Sequence, residues 1–248
     1  MRRREATGLG RRLKHLLRRL RYLRHLLRYH DAAPGTAPWL IATEIKYGGY
    51  HTGVARRKVS PDDPRSVERI SKGGMTGGDR MLHHGYAPKY ADHLKSFLGR
   101  GKDLTLVEVG ILRGTGPAIW SDLFEGANII GLDIDLSHTR ENLNFLVSKG
   151  AFRHGLPTLH QFDQLEYNRA NFQRILDGAK IDVFIDDGFH SDEAILRTLE
   201  SAQPHLADAF VYFAEDNHTV HTAIRSAYPN WRIESAGRLT NVNSQSRG

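Results

Sequence analysis

The chain has 248 residues, enough for one α/β domain with an extension, and it contains no cysteine. The lack of cysteine excludes disulfides, thiolate zinc sites and cysteine nucleophiles, and is typical of a cytoplasmic protein. The net charge of +7 is unevenly distributed, because residues 1–30 contain eleven basic side chains and one acid, whereas residues 31–248 contain 24 basic and 27 acidic ones. We therefore expect no nucleic acid as a partner of the main body.

The first predicted element is an amphipathic helix over residues 9–30. Arginine and lysine fill one face, and leucines repeat with helical spacing on the other, at Leu13, Leu16, Leu17, Leu20, Leu23, Leu26 and Leu27. No stretch approaches the roughly 18 consecutive apolar residues of a membrane span. Two interpretations stay open: the helix packs on its own domain or on a second copy in a homo-oligomer, or it lies peripherally on an anionic membrane surface.

Composition divides the chain into four predicted segments. Residues 1–30 are the basic helix, and residues 31–70 are a linker followed by a region whose pattern indicates no clear structure. Residues 71–100 are a glycine-rich loop followed by a helix, and residues 101–248 are an α/β domain. The loop carries histidines and tyrosines directly before this domain, which predicts either a lid over a ligand or a long surface connection.

The most informative stretch, residues 104–135, predicts a β-turn-α-β unit in which an apolar run is followed by a glycine-rich turn, a helix and a second apolar run. The turn contains Gly110, Gly114 and Gly116. This spacing fits neither a Walker loop nor a dinucleotide fingerprint, so phosphate binding is not favoured. Glu108 and Asp133 lie near the ends of the two strands, where an acid can bind ribose hydroxyls. The unit therefore predicts an adenosine-type ligand, or else an ordinary turn with two solvated acids.

Strands and helices continue to alternate after this unit. Strands are predicted over 158–162, 181–185 and 210–214, helices over 137–149, 167–176 and 191–202, and final strands within 231–242. Such alternation predicts a doubly wound α/β fold, with a parallel sheet covered by helices on both faces and an N-terminal helical extension.

Acidic side chains follow the central strands at their carboxyl ends: Glu108, Asp133, Asp163, Asp186, Asp187, Glu215 and Asp216. Because these ends share one edge of a parallel sheet, the carboxylates would repel one another unless a cation lies among them. We predict that Asp187 (or Asp186), Glu215 and Asp216 bind Mg²⁺ or another hard divalent cation. His190 is predicted to accept a proton from a substrate hydroxyl, with a surface or capping role as the alternative.

Four motifs together resemble a known family. They are Val107-Glu108-Val109-Gly110, Gly131-Leu132-Asp133-Ile134-Asp135, Ile185-Asp186-Asp187-Gly188-Phe189-His190 and Ala214-Glu215-Asp216-Asn217. With the segment from His84 to Tyr90, they resemble class I S-adenosylmethionine-dependent methyltransferases. More closely, they resemble the metal-dependent sugar O-methyltransferases of macrolide biosynthesis (mycinamicin type) and the related cephalosporin hydroxylase family. The resemblance covers roughly residues 70 to 235.

The resemblance implies a Rossmann-like, mostly parallel seven-stranded sheet and a methyltransferase domain over residues 101–248. It implies that S-adenosylmethionine is bound by Glu108, Gly110, Gly114, Asp133, Asp163 and Tyr86. It further implies that Mg²⁺ is held by Asp187, Glu215 and Asp216, with His190 as general base. The implied reaction is methyl transfer to a hydroxyl of a small-molecule acceptor, a sugar or glycosylated natural product. The alternatives are a cephalosporin-hydroxylase-like metal enzyme and a catalytically degenerate module recruited to membranes through residues 9–30.

Overall fold

A seven-stranded sheet forms the centre of the protein, whose structure, a computed structural model, describes residues 2–50 and 56–244. The strands of this part of the chain are β1 (Arg57–Lys58), β2 (Met75–Thr76), β3 (Thr105–Val109), β4 (Asn128–Asp133), β5 (Thr158–Gln161), β6 (Ile181–Asp186), β7 (Leu206–Ala214), β8 (Arg232–Ala236) and β9 (Leu239–Asn243). The first two form a separate antiparallel ribbon, and the other seven form the sheet. The predicted α/β fold with a mostly parallel sheet is confirmed.

The chain adds strands to one side of β3 and then to the other, so the order of the strands reverses between β3 and β6. The order is β5-β4-β3-β6-β7-β9-β8; the first five strands in this order are parallel, and β9 pairs antiparallel with both neighbours. The chain therefore runs from β3 to one edge and returns beside β3 at β6. Ligands of open α/β sheets bind at such a reversal. Gly110 and Asp187 follow these two strands, and the Asp187 N–H donates to the Val109 carbonyl at 2.9 Å.

Helices cover both faces of the sheet, as predicted. The helices of the described residues are α1 (Arg2–Tyr29), α2 (Ala37–Gly48), α3 (Ser66–Ser71), α4 (Ala87–Leu94), α5 (Thr115–Leu123), α6 (Ser137–Ser148), α7 (Arg169–Leu176), α8 (Asp192–Ala202) and α9 (Val220–Ala227), of which α1 and α3 belong to neither sheet core. Because side chains alternate along a strand, Leu106 and Val107 of β3 belong to opposite cores. The first core includes residues of α2, α4, α5 and α6, with the fully buried Trp120, and the second includes residues of α7, α8 and α9.

Local sequence explains where several helices begin and end. Ser191, the first residue of the helix predicted over 191–202, is the N-cap of α8 and accepts the Ala194 N–H; Thr36 caps α2 in the same way. The helix predicted after the glycine-rich loop is α4, which ends at Leu94 and is followed by a 3₁₀ turn over 95–97. Residues 31–70, predicted as a linker followed by a region of unclear pattern, contain α2, β1 and α3. Residues 51–55 of that segment, and 245–248 of the predicted domain, lie outside the described part.

The N-terminal helix α1 lies against α2, but not through its leucine stripe. Tyr22 is buried and its ring centroid lies 4.1 Å from that of Tyr50. Of the leucines predicted to share one face, Leu26 is partly buried in this contact, and the others are exposed. No helix of the described residues is both long and apolar enough to cross a membrane. The division of the chain into four segments stays a prediction.

Candidate functional site

Two adjoining cavities lie along the carboxyl edge of the sheet. The smaller, of about 70 Å³, lies beyond the ends of β3, β4 and β5. Ile134 and Phe162 give it an apolar surface, and Asp133 and Asp163 add carboxylates. The larger, of about 550 Å³, lies between the edge of the sheet and the glycine-rich segment 74–79. Both cavities share the lining residues Arg65, Met75, Gly110, Leu112, Asp187 and Phe189, so they adjoin at the end of β3.

The carboxylate of Asp133, at the end of β4, forms a hydrogen bond with the turn after β3. Its Oδ2 accepts the Leu112 N–H at 2.8 Å, and its Oδ1 accepts the Asp135 N–H at 3.1 Å. Burial raises the pKa of this carboxyl, and the two hydrogen bonds oppose the rise. Because a carboxylate offers about four acceptor sites, roughly two remain for hydroxyls of a ligand in the smaller cavity.

The glycines of the turn have different structural roles. Gly110 adopts φ +83°, and a Cβ there would overlap the carbonyl oxygen of Asp187. A Cβ at Gly116 would overlap the Glu108 carboxylate, so the close approach of α5 to this acid also requires glycine. Gly114 begins α5 with φ +75°, faces Thr139, and lines neither cavity. The turn is therefore shaped by close contact with β6 and with Glu108.

A buried arginine lies among the acids of the larger cavity. The Nη2 atom of Arg80 donates to Glu108 Oε1 at 2.7 Å and to Asp187 Oδ2 at 2.8 Å. Its Nε atom lies 2.7 Å from Glu215 Oε1. The same Glu215 oxygen accepts the Tyr90 hydroxyl. Part of the repulsion that the sequence predicted between these acids is thus relieved by a guanidinium.

Asp187, His190 and Asp216 form a second group beside Arg80. One potential ligand atom of each lies within 4.8 Å of the others, which makes them a candidate metal-binding set within the described part of the chain. The His190 Nε2 atom is 4.0 Å from Asp187 Oδ1, and its buried Nδ1 atom has no hydrogen-bond partner. His190 and Asp216 both have left-handed backbones, with φ +66° and +55°. Such strain in residues other than glycine is typical of functional sites.

The carboxylates of the larger cavity differ in their electrostatic environments. Burial raises the pKa of Asp187 and of Glu215, although Arg80 opposes both shifts. Burial alone would also raise the pKa of Asp216, but the Tyr86 hydroxyl and nearby basic groups hold it below its usual value. The Tyr86 hydroxyl donates to Asp216 Oδ1 at 2.7 Å, and Arg238 lies 2.9 Å from Oδ2.

Two buried amides hold the loops of this group in place. Asn217 donates through Nδ2 to the His190 carbonyl at 2.9 Å and to Asp192 at 2.7 Å, which joins the loop after β6 to the loop after β7. Gln164 donates to Asp186 at 2.8 Å and accepts the Phe189 N–H at 2.7 Å. Both amides position the loop that carries Asp187 and His190.

The structure brings some predicted site residues together and separates others. Asp133 and Asp163 line the smaller cavity, Glu108 lines the larger, and Gly110 lines both. Tyr86 lines neither cavity and instead contacts Asp216. Of the predicted metal ligands, Asp187 and Asp216 join His190, whereas Glu215 is bound to Arg80 and Tyr90. Asp186 is fully buried and bonded to Tyr212 and Gln164, so Asp187 is the acid of this pair that faces the cavity. The roles of all these residues stay predictions.

Sequence reasoning missed Arg80, Arg238, Gln164 and Asn217. Arg80 stands in the predicted lid segment, far along the chain from the acids it contacts, so no spacing pattern marked it. Asn217 belonged to the motif Ala-Glu-Asp-Asn, but no function was attached to its amide. The sole usable signal was the excess of acids at the strand ends, which demanded a cation of some kind.

Comparisons with known proteins agree with this architecture. No protein-family model matches the chain. In sequence it is similar to the 8-demethyl-8-alpha-L-rhamnosyl tetracenomycin-C 2'-O-methyltransferase of Streptomyces olivaceus, with 27% identity over 194 residues, covering 74% of this chain and 47% of the relative. The chain thus spans about half the length of the curated relative it matches.

Solved structures show the same fold. MycE methyltransferase from the mycinamycin biosynthetic pathway, in complex with Mg, SAH and mycinamycin VI, matches with a TM-score of 0.52 and 19% identity, over 80% of this chain and 59% of that chain. A putative O-methyltransferase from Klebsiella pneumoniae matches with a TM-score of 0.50 and 12% identity, over 75% and 90%. The chain is therefore similar in sequence to a rhamnosyl tetracenomycin O-methyltransferase and has the fold of class I S-adenosylmethionine-dependent methyltransferases, as its motifs indicated.

Proposed function

We propose that the protein is an S-adenosylmethionine- and Mg²⁺-dependent O-methyltransferase that acts on a hydroxyl of a sugar in a glycosylated natural product. The observation that carries this proposal is the group of Asp187, His190 and Asp216 in the larger cavity, next to the turn at the reversal point of the sheet. This arrangement supports the proposal, because an imidazole and hard oxygen ligands lie together beside the turn that we assign to the donor.

The paired cavities fit the donor. Asp133 and Asp163 border the smaller cavity together with apolar side chains, which offers acceptors for ribose hydroxyls beside an apolar surface. The larger cavity continues past Gly110 along the start of α5, where Glu108 lies. The assignment of Glu108, Gly110, Asp133 and Asp163 to the donor thus has geometric support. Gly114 and Tyr86 support the site indirectly, by starting α5 and by contacting Asp216.

The carboxylates of the larger cavity fit a divalent cation. Among the described residues, four of the six carboxylates that line the larger cavity form ion pairs with Arg80 or Arg238. These four are Glu108, Asp187, Glu215 and Asp216. Asp187 and Asp216 each contribute a carboxylate to the group with His190, and carboxylate oxygens are ligands that Mg²⁺ prefers. We assign Asp187 and Asp216 as ligands; Glu215 joins them only if Arg80 releases it.

The chain's own residues then have separate roles in the reaction. S-adenosylmethionine supplies an electrophilic methyl group, and the cation supplies positive charge that lowers the pKa of an acceptor hydroxyl. His190, held by the Asn217 bond to its carbonyl, accepts the proton of that hydroxyl. Phe189 and segment 74–79 border the cavity in which the acceptor would lie.

Similar proteins support the acceptor class. The relative from Streptomyces olivaceus is named for 2'-O-methylation of a rhamnosyl tetracenomycin, and MycE was solved with a mycinamycin. Since both names describe natural products, and the tetracenomycin carries a sugar, a glycosylated natural product is the acceptor we propose. The protein would act without a nucleic-acid partner, because its body is slightly acidic.

The test is a methyl-transfer screen with the full chain, methyl-labelled S-adenosylmethionine, and rhamnosides and other glycosides as acceptors. We expect a product heavier by one CH₂ unit, formed with Mg²⁺ and lost on chelation. A product heavier by one oxygen atom would support a hydroxylase instead. If calorimetry shows binding of neither S-adenosylmethionine nor Mg²⁺, the protein is a degenerate module and the proposal is wrong.

A further inference from the structure

The leucine stripe of α1 faces away from the rest of the protein. Tyr22 points into the contact with α2 and is 7% exposed, whereas Leu16, Leu20 and Leu27 are 54%, 53% and 76% exposed. At about 100° per residue, Tyr22 lies on the opposite side of the helix from Leu20 and Leu27. An amphipathic helix in a globular protein normally buries its apolar stripe in the core. Here an aromatic contact holds α1 in place, and the stripe stays open to solvent.

Basic side chains flank the exposed stripe on both sides. By helical geometry, Arg19 lies along one edge, and Arg21 and Arg28 lie along the other; all three are exposed. Residues 6–30 contain seven arginines and one lysine, but no aspartate or glutamate. An apolar stripe between cationic edges is the pattern of helices that lie in the interface of a membrane with anionic lipids.

A second copy of the chain is the main rival occupant, and charge disfavours it. The leucines at 13, 16, 20, 23 and 27 have the alternating three- and four-residue spacing of a coiled-coil seam. Paired coiled-coil helices place the residues that flank the seam opposite one another. In this helix those residues include Arg19 and Arg24, with no acid in residues 6–30 to oppose them, so pairing two copies would bring like charges together.

One end of the leucine stripe borders a groove of mixed polarity between α1 and the body of the protein. Leu23, Leu26 and Leu27 line this groove of about 670 Å³, whose other side includes Trp39 of α2 and the charged residues Lys46, Asp122, Glu125 and Arg153. Tryptophan is enriched where proteins meet the interface of a membrane. The groove therefore places a tryptophan of α2 beside the end of the stripe.

We propose that α1 docks the protein on an anionic lipid surface, with the exposed leucines inserted at the headgroup boundary and the flanking arginines next to lipid phosphates. This inference does not depend on the proposed function. The helix would lie in the plane of the surface, since it is not apolar enough to span a bilayer.

Point variants test the proposal better than deletion of α1. Tyr22 and Leu26 pack with Ile45, Tyr50 and Leu82, so deletion would expose a small core next to the wall of the larger cavity. Replacing Leu16 and Leu20 by serine changes exposed side chains alone. The matched control replaces Val67 and Ile70, which are 84% and 59% exposed on α3.

The measurement is flotation of the full chain with vesicles of phosphatidylcholine, or of phosphatidylcholine and phosphatidylglycerol in equal parts. We expect binding to the anionic vesicles about tenfold stronger than to the neutral ones, weakened by salt. Leu16→Ser with Leu20→Ser should lower that binding by about tenfold, and Val67→Ser with Ile70→Ser should leave it unchanged. Thermal unfolding should be the same for all three proteins.

Two results would overturn the proposal. One is equal binding to both kinds of vesicle, or binding that the leucine variant retains. The other is a dimer in sedimentation velocity that the leucine variant dissociates, without vesicle binding by the unchanged chain; the stripe would then be an interface between two copies.

Discussion

The two ends of the candidate site are stabilised in different ways. At the end near β4 and β5, the carboxylate of Asp133 is bound by backbone N–H groups of neighbouring turns. At the end near β6 and β7, Asp187 and Glu215 are stabilised by a single guanidinium from a distant segment, and His190 and Asp216 have strained backbones. The first end is a local product of the βαβ unit. The second is assembled from several parts of the chain, so it is more sensitive to single substitutions.

His190→Ala should give the largest effect, and it acts on the assembled end alone. Without a base for the acceptor hydroxyl, turnover should fall by about 10²- to 10⁴-fold. Affinity for S-adenosylmethionine should stay unchanged, because His190 is not among the proposed donor contacts. Steady-state kinetics and calorimetry measure the two quantities. His218→Ala, an exposed histidine two residues after Asp216, is the control. Unchanged turnover in His190→Ala would remove the base from the mechanism.

Arg80→Met tests whether the assembled end depends on one guanidinium. The variant leaves Glu108, Asp187 and Glu215 without their common cation, and breaking a buried ion pair costs about 3–5 kcal/mol in the free energy of unfolding. Because a divalent cation supplies replacement charge, Mg²⁺ should raise the melting temperature of Arg80→Met more than that of the unchanged protein.

The control is Arg100→Met, which removes a more exposed arginine from its pair with Asp182. We expect Arg100→Met to lower the free energy of unfolding less than Arg80→Met does, and Mg²⁺ to leave its melting temperature unchanged. Equal losses in the two variants would show that Arg80 is an ordinary ion-pair residue.

The same contrast explains what could be predicted from the sequence. The strands β3 to β7, and the cap at Ser191, follow from residues that are neighbours along the chain, so periodicity and capping located them within a few residues. The sequence also predicted that the acids after the central strands lie together, because the carboxyl ends of parallel strands share one edge of the sheet. The contact between Arg80 and these acids follows from tertiary packing, and so does the contact of Gly110 with the Asp187 carbonyl. Neither leaves a pattern in the spacing of residues.

The direction in which α1 faces shows a related limit. Periodicity correctly indicated an amphipathic helix, and it gave the composition of both faces. Which face meets the protein is decided by its partner surface, here Ile45, Tyr50 and Leu82, which accepts an aromatic side chain. Periodicity alone does not distinguish a helix whose apolar stripe faces solvent from one whose stripe faces the core. The distinction requires the surface on which the helix packs.

The pH dependence of stability tests the contact between Glu44 and the segment that carries Arg80. The Glu44 carboxylate accepts the Met81 N–H at 2.7 Å and the Leu82 N–H at 3.0 Å. These two residues directly follow Arg80 in the chain. Burial raises the pKa of Glu44 from 4.5 to about 7. Between these values the folded protein holds a proton that the unfolded chain has lost, so this contribution to stability is complete below pH 4.5 and is lost as the pH rises to about 7.

Glu44→Gln should remove this decrease of the free energy of unfolding with rising pH, because glutamine does not titrate. Denaturant unfolding at several pH values should show the unchanged protein losing roughly 3 kcal/mol more than the variant across this window. Glu68→Gln, which alters an exposed acid on α3, should keep the slope of the unchanged protein. If Glu44→Gln kept it as well, the slope would belong to another group.

Asp133→Asn should give the smallest effect, confined to the locally built end. Asparagine has the same shape, but its amide group would face one of the two backbone N–H donors that the carboxylate accepts. The turn from Gly110 to Leu112 would lose one bond, and the affinity for S-adenosylmethionine should fall by about tenfold, or roughly 1.4 kcal/mol. Mg²⁺ affinity should not change. Asp135→Asn, which alters an acid that lines neither cavity, should bind the donor normally. A parallel loss of Mg²⁺ affinity in Asp133→Asn would mean that the two ends are coupled, and that the backbone of Gly110 and Asp187 transmits the change between them.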